Sequence, residues 1–264
     1  MKTQVIEKDA KSKKEINLPE NFSSRIREDI LLKVYEAQKL AYTQSYGAMP
    51  GAGAGYSASG ILKHRRHVWK TTYGKGISRV PRKIMSRNGS SFNWVGATVS
   101  SARGGRSPHA PRSEKNLFKK INKKELLLAY NSAFAGTINE DYLAKKYNTK
   151  IKSGFILNDE VLKLKTKDFL KLLKTLFNEN FDKVLKIKTI RAGRGKMRGR
   201  KYKSNAGLLL VISSKQDFKQ KGFDIIKVNE LKISDLAPNG VPGRITCYTN
   251  EAINEIGERF KWKQ

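Results

Sequence analysis

Two stretches of this sequence set cations at short, repeated spacing, the first of them interleaved with flat rings. Lys63-His64-Arg65-Arg66-His67-Val68-Trp69-Lys70 alternates charge with rings, and Tyr56, Tyr73, Phe92 and Trp94 continue the interleaving around it. Arg191-Ala192-Gly193-Arg194-Gly195-Lys196-Met197-Arg198-Gly199-Arg200-Lys201-Tyr202-Lys203 brings cations back every one to three positions, with glycines between. The chemistry open to such residues is recognition. Lys and Arg satisfy phosphates, while rings and guanidinium planes stack on unpaired bases. The glycines let the backbone run against a nucleic-acid groove without side-chain clash. A basic tail or localisation signal is the bland alternative for the second stretch. It lies between two apolar strand candidates, however, so the fold must present it at a fixed place. The candidate RNA contacts are Lys63, Arg65, Arg66, Trp69, Lys70, Lys75, Arg79, Arg82, Lys83, Arg87, Arg103, Arg106 and Arg112 in the first region. In the second they are Arg191, Arg194, Lys196, Arg198, Arg200 and Lys201.

Other reactive-looking residues form no catalytic set. Gly51-Ala52-Gly53-Ala54-Gly55 is not a dinucleotide fingerprint, because neither a preceding strand nor a following helix is signalled. It reads as a stem in which backbone comes close to a neighbour. No phosphate-binding loop exists, since Gly195-Lys196 is followed by Met197, which has no hydroxyl for magnesium. His64, His67 and His109 all fall in the first region. His64 and His67 share a helical spacing but lack the further ligands a structural zinc needs, leaving RNA contact or plain exposure. Cys247 reads as a small core residue; a catalytic role would need a base that sequence does not reveal. Asp159 and Glu160 read as turn or surface carboxylates. No metal site and no cofactor are expected.

The distribution of charge supports a polyanionic partner. The 264 residues carry 54 Lys and Arg against 23 Asp and Glu, a formal net charge of +31. Residues 37–113 contain 13 Lys and Arg and no acid, and residues 183–216 contain 11 and no acid. A solvated face mixes both signs; these windows do not. The rest of the chain is nearly balanced, and a charge of this size self-repels unless a polyanion neutralises it. The longest apolar run, Leu208–Ile212, falls far short of the ~20 residues that span a bilayer. No secretory signal is visible, and a single cysteine fits a reducing compartment.

The elements that must position these residues alternate between helix and strand. Ile26, Ile30, Val34, Ala37 and Ala41 predict an amphipathic helix over about 24–44. Asn122 with Glu125 three residues on predicts an N-cap, opening a helix through Ala135. Helices are expected around 140–147, from a Thr166 cap onward, and over 250–260. Strands are expected at 155–157, 184–187, 208–212, 223–228 and 244–248. Residues 47–113 hold 11 of the 21 glycines and show no lasting period. The expected fold is α/β, a layered and mostly parallel sheet with flanking helices and a long extended internal loop. Its body would be residues 1–46 and 114–264, with 47–113 inserted as a basic, Gly-rich loop. Too polar to fold alone, that loop would order against a polyanion.

The chain also resembles the large-subunit ribosomal protein four family, in its archaeal and eukaryotic branch. The resemblance runs nearly end to end, through Asn17-Leu18-Pro19-Glu20, Tyr46-Gly47-Ala48, and Gly74-Lys75-Gly76-Ile77-Ser78-Arg79-Val80-Pro81-Arg82. It continues through Gly104-Gly105-Arg106-Ser107-Pro108-His109-Ala110-Pro111, residues 119–125 and 191–202, and Leu236-Ala237-Pro238-Asn239-Gly240-Val241-Pro242-Gly243-Arg244. The chain departs from the family in a Lys-rich 144–188 and a Gly/Ala-rich 51–55. The resemblance implies a non-enzymatic structural protein of the cytoplasmic ribosome. Its partners would be large-subunit ribosomal RNA, neighbouring ribosomal proteins and the nascent peptide, with no membrane. The loop tip, Lys70, Tyr73, Lys75, Arg79 and Arg82, would line the peptide exit tunnel. Two other classes compete: an RNA-modifying enzyme, which the missing cofactor and metal signatures disfavour, and a DNA-binding regulator, which would place its charge on a recognition helix.

Overall fold

The computed structural model describes residues 2–8, 12–68, 70–74, 76, 78–89, 91–220 and 222–261. The expected contacts Trp69 and Lys75 lie outside the described residues, as does the side chain of Phe92. In chain order the elements are β1 (Lys2–Ile6), β2 (Ser12–Asn17), α1 (Glu28–Ala41), β3 (Arg82–Asn88), β4 (Ser91–Gly96), α2 (Lys123–Ile138) and α3 (Glu140–Tyr147). There follow β5 (Phe155–Leu157), α4 (Thr166–Phe177), α5 (Phe181–Val184), β6 (Lys188–Ile190), β7 (Tyr202–Ser204), β8 (Leu209–Ile212), β9 (Asp224–Lys227), α6 (Ile233–Leu236), β10 (Thr246–Thr249) and α7 (Asn250–Arg259). The chain divides into two units, one of Met1–Tyr42 with Phe118–Gln264 and one of Thr43–Leu117.

In the first unit six strands form one sheet in the order β2-β1-β5-β10-β8-β9. β2 pairs antiparallel with β1, and every other pairing is parallel. This is the layered α/β fold that the alternation of elements predicts. Successive side chains of a strand point to opposite faces, and here each face has its own core. Ile156, Leu209, Val211 and Tyr248 pack with α1, α2, α6 and α7. Leu157, Leu210, Ile212 and Cys247 pack with α3 and α4. Both faces of β8 are therefore covered, which explains its unbroken apolar run. On the first face Phe22, Tyr130, Phe134, Tyr248 and Phe260 interlock, with successive ring centroids 4.6–5.4 Å apart. The Tyr248 and Thr137 hydroxyls meet at 2.9 Å.

Several local expectations are corrected. Residues 184–187 are not a strand: α5 ends at Val184 and pairing begins only at Lys188. The apolar Val184 and Leu185 had suggested a strand, but Val184 is buried beneath the sheet as the end of a helical turn. Asn122 stands at the N-cap of α2 but its side chain makes no capping bond. Glu125 is drawn away to Lys33 of α1, at 2.6 Å. Thr166 is the first helical residue and Lys165 occupies the cap. The first helix is shorter than its periodicity, Glu28–Ala41. The β1–β2 hairpin gave no signal, because its polar β2 sequence SKKEIN lacks the apolar alternation that marks a half-buried strand.

Candidate nucleic-acid interface

The 191–203 region is a β-hairpin of the first unit. β6 and β7 pair antiparallel in the register Lys188↔Ser204, Thr189↔Lys203 and Ile190↔Tyr202. The Arg191 amide extends the ladder to the Lys201 carbonyl at 2.9 Å. A 3-10 turn at Arg194–Met197 closes the end, with the Arg198 and Arg200 amides both donating to the Gly195 carbonyl at 3.1 Å. Arg191, Arg194, Lys196, Arg198, Arg200 and Lys201 are all exposed, and the Lys196 amide donates to the Gly193 carbonyl at 3.3 Å within the turn. Glycines at 193, 195 and 199 leave room for the turn while placing cations on its rim.

The base of this hairpin is locked by residues that carry no sequence signal as RNA ligands. Asn205 donates to the Leu185 carbonyl at 2.9 Å and accepts from the Ile187 amide at 3.0 Å, stapling the two hairpin stems. Arg244, only 3% exposed, reaches from the segment before β10 to three carbonyls: Ala206 at 2.8 Å, Gly207 at 3.2 Å and Asp235 at 2.7 Å. The same guanidinium meets the Asp224 carboxylate at 2.5 Å, and Lys186 pairs with that carboxylate too. Burial pushes the Asp224 carboxyl up, yet the hydrogen bonds from Lys186 and Arg244 outweigh it and hold the group below the usual carboxylate range. Burial, then the Arg244 charge, lowers the nearby Lys146 amine to about 8. A guanidinium with donors in several directions suits such a junction of carbonyls. In the sequence Arg244 appears only in the Leu236–Arg244 motif and at the start of the expected 244–248 strand, whereas β10 begins at Thr246 and leaves Arg244 free to reach these carbonyls.

The second unit has almost no core of its own. Among its described residues only Thr72 and Ala97 are buried. It is held instead by backbone pairing between limbs. The Ala48 amide donates to the Pro111 carbonyl at 3.1 Å, and the Ser45 hydroxyl to the Lys115 carbonyl at 2.9 Å. Ser59 and Arg82 exchange backbone bonds, and the Ala97 amide reaches the Pro81 carbonyl at 2.8 Å. Gly51-Ala52-Gly53-Ala54-Gly55 forms successive turns. Gly53, at φ 76°, lies so close to the other limb that a Cβ would stand 2.5 Å from the Gly105 carbonyl. The limbs flank an open cleft of about 1140 Å³ whose walls include Tyr46, Met49, Arg106, His109 and Arg112.

Beyond the stem, the chain closes a loop in which the Lys63 amide bonds the Lys70 carbonyl at 3.0 Å and its carbonyl accepts from the Thr72 amide at 3.1 Å. His67 and Lys70 adopt left-handed backbone there. β3 and β4 then form a hairpin with a bulge after Ile84, structure that the Gly-rich sequence did not signal. Lys63, Arg65, Arg66, Arg79, Arg87, Arg103, Arg106 and Arg112 are exposed, while Lys70, Arg82 and Lys83 are half-buried. Cations and rings meet as pairs: Arg66 over Tyr73 at 4.4 Å, Arg82 over Trp94 at 5.2 Å, and Lys83 over Tyr56 at 3.8 Å. Arg82 also donates to the Ser78 and Val80 carbonyls at 2.6 and 3.0 Å, which fixes the 78–82 turn. The described residues hold no cluster of metal-ligating side chains and no helix long and apolar enough to cross a membrane.

A surface of this kind, cationic, glycine-rich and interleaved with rings, fits RNA. A sequence model described as the ribosomal protein L4/L1 family matches residues 16–259. The chain is similar to the large ribosomal subunit protein uL4 of Thermoplasma acidophilum, 40% identical over 93% of this chain and 93% of that protein. It is 38% identical to the protein of the same name from Nanoarchaeum equitans, over 92% of this chain and 93% of the relative. The Methanocaldococcus jannaschii protein of that name is 33% identical over 99% of this chain and all of its own length.

Proposed function

Because the chain belongs to the ribosomal protein L4/L1 family, we propose that it is a non-enzymatic structural constituent of the large ribosomal subunit, working in the cytoplasm as part of the ribosome. It binds ribosomal RNA and stabilises its packing. The observation that carries the mechanism is the presentation of two acid-free cationic regions on surfaces that bury little of their own. The 47–113 insertion, in this reading, is an RNA-bound arm and the α/β body its mount. Lys63, Arg65, Arg66, Lys83, Arg87, Arg103, Arg106 and Arg112 neutralise phosphates along the arm, and the hairpin cations do so on the body. Neighbouring ribosomal proteins complete the surroundings.

The finer part of the proposal concerns the tip. Lys70, Tyr73, Lys75 and Arg79 face the nascent peptide in the exit tunnel, while Arg82, whose Nη1 is occupied by the Ser78 and Val80 carbonyls, shapes the turn that presents Arg79. Co-sedimentation with large subunits after a high-salt wash tests the structural role. Retention is expected; quantitative release at moderate salt would make the chain a peripheral factor. Replacing Lys70, Lys75 and Arg79 together by Ala tests the tip: nascent-chain passage should change while subunit assembly persists. An equal loss of assembly would assign these residues to scaffolding instead.

A further inference from the structure

The β6–β7 hairpin carries apolar side chains that its own fold leaves uncovered. Ile190 and Tyr202 stand directly opposite each other across the ladder, so they share one face. They are 60% and 53% exposed, and Met197 in the end turn is 81% exposed. One exposed apolar residue is ordinary; three on one small hairpin, inside a window with no acid from Lys183 to Gln216, ask for a specific partner. The partner must be anionic to meet the cations and must also offer flat apolar surface to meet Ile190, Tyr202 and Met197. Unpaired nucleobases with their phosphates satisfy both demands. A duplex does not, because its bases hide their faces in the stack and the A-form major groove is too narrow for side chains. The Lys201 ammonium lies 5.6 Å from the Tyr202 ring centre, so charge and stacking surface are already side by side.

Resting on the RNA-binding reading above, we propose that the outer half of this hairpin holds an unpaired segment of RNA. A base stacks on the Ile190–Tyr202 face, and Met197 acts as an apolar wedge beside it, as inserted Met and Leu side chains do between base steps elsewhere. The cations of the turn hold the flanking phosphates. The hairpin thereby selects single-stranded over paired RNA, which phosphate neutralisation alone does not do.

The test uses the full chain with Lys63, Arg65, Arg66 and Lys70 changed to Gln, so that binding through the other unit is weakened. The probes are a short mixed-sequence RNA single strand and a duplex of the same length. Tyr202→Ala should weaken single-strand binding about tenfold, the scale of one lost stacking contact, and leave the duplex within about twofold. Its log–log salt slope should not change, since no charge is removed. Tyr202→Phe should bind like the parent. Arg198→Gln should lower the slope by roughly 0.7. The proposal is overturned if Tyr202→Ala affects neither probe, which leaves the surface to a protein neighbour or to solvent, or weakens both alike, which makes Tyr202 an RNA contact without preference for unpaired bases. If the unmodified chain itself binds neither probe in a salt-dependent way, the RNA-binding reading fails first.

Discussion

Arg244 and Asp224 meet at 2.5 Å at the N-terminal end of the sheet, on either side of β8, and the same guanidinium holds the carbonyls of Ala206 and Gly207, where the β6–β7 hairpin returns to the body. A buried cation thus fixes the position of an exposed cationic device. Removing it leaves carbonyls of residues 206, 207 and 235 without their donor and Asp224 with Lys186 alone. Breaking a buried pair costs about 3–5 kcal/mol; Asp224 is about a third exposed, so the lower end applies. Arg244→Ala should lower the melting temperature by roughly 6–12 °C and weaken RNA binding by the hairpin even under conditions where the chain stays folded. A melting temperature within about a degree of the parent would remove Arg244 from this role.

Asp224 also makes stability depend on pH. Its carboxyl is held below the ordinary range once the bonds from Lys186 and Arg244 overcome the burial that opposes them. A depressed carboxylate pKa stabilises the folded state above the unfolded value, near 3.9, and loses that contribution as pH falls towards the folded pKa. Urea midpoints should therefore decline as pH is lowered from about 5 through the unfolded value and on towards the folded one. In Asp224→Asn the midpoint at pH 7 should be lower, and part of that acid-side slope should vanish. Parallel pH profiles for the two chains would show that other carboxylates carry the effect.

The stem of the second unit depends on contact between Gly53 and Gly105. Gly53 combines a left-handed φ of 76° with backbone of the opposite limb 2.5 Å from where a Cβ would stand. Backbone cannot give way as a flexible side chain can, and left-handed geometry costs a residue with a Cβ about 1–2 kcal/mol. Gly53→Val should part the limbs and accelerate proteolysis within 47–113, while the melting of the α/β unit stays put. Unchanged cleavage would mean that the close approach does not hold the stem.

The sheet was legible because buried strands and amphipathic helices write their periods into the sequence. Leu208–Ile212 shows both faces covered, and Phe169, Leu172, Leu173 and Phe177 show one helical face. Where packing is absent, the signal is absent too. The β3–β4 hairpin and the limbs of the second unit are held by backbone bonds and glycine contacts, which leave no apolar pattern. Val184 misled because a buried turn of helix and a buried strand both present short apolar runs. The cations were legible as a class from their windows, but not their division of labour. Arg82 looked like any other loop cation until its bonds to Ser78 and Val80 placed it inside the turn, and Arg244 belonged to a motif with no chemistry attached.

Cys247 offers a check on the core. It is fully buried between the sheet and the α3–α4 layer, and burial pushes its thiol up to about 12. The reactive species is the thiolate, so at pH 8 the folded chain should resist a thiol-directed reagent and react promptly in denaturant. The raised value also means that stability falls as pH climbs from the unfolded thiol value near 8.5 towards about 12, a loss that Cys247→Ala should reduce. Rapid labelling of the native chain would place the thiol at an accessible surface and contradict the two-sided packing of the sheet.

The division of the chain yields the last prediction. Both hydrophobic cores are built from residues of the first unit, so removing most of 43–117 deletes no core side chain. The limbs also run close together nearer the α/β unit, where Gly47 approaches Ser113 and the Ala48 amide meets the Pro111 carbonyl, so joining Gly55 to His109 keeps that pairing, although the Gly53–Gly105 contact goes with the deleted residues. A chain lacking residues 56–108 should be soluble and unfold cooperatively. It should keep a structured near-ultraviolet circular dichroism signal, because Phe22, Tyr130, Phe134, Tyr248 and Phe260 remain interlocked. It should also retain the hairpin's share of RNA affinity, with a shallower salt dependence as the deleted cations no longer release counterions. A molten chain without near-ultraviolet signal would show that the α/β unit needs the insertion to fold, and the reading of body and arm would fall with it.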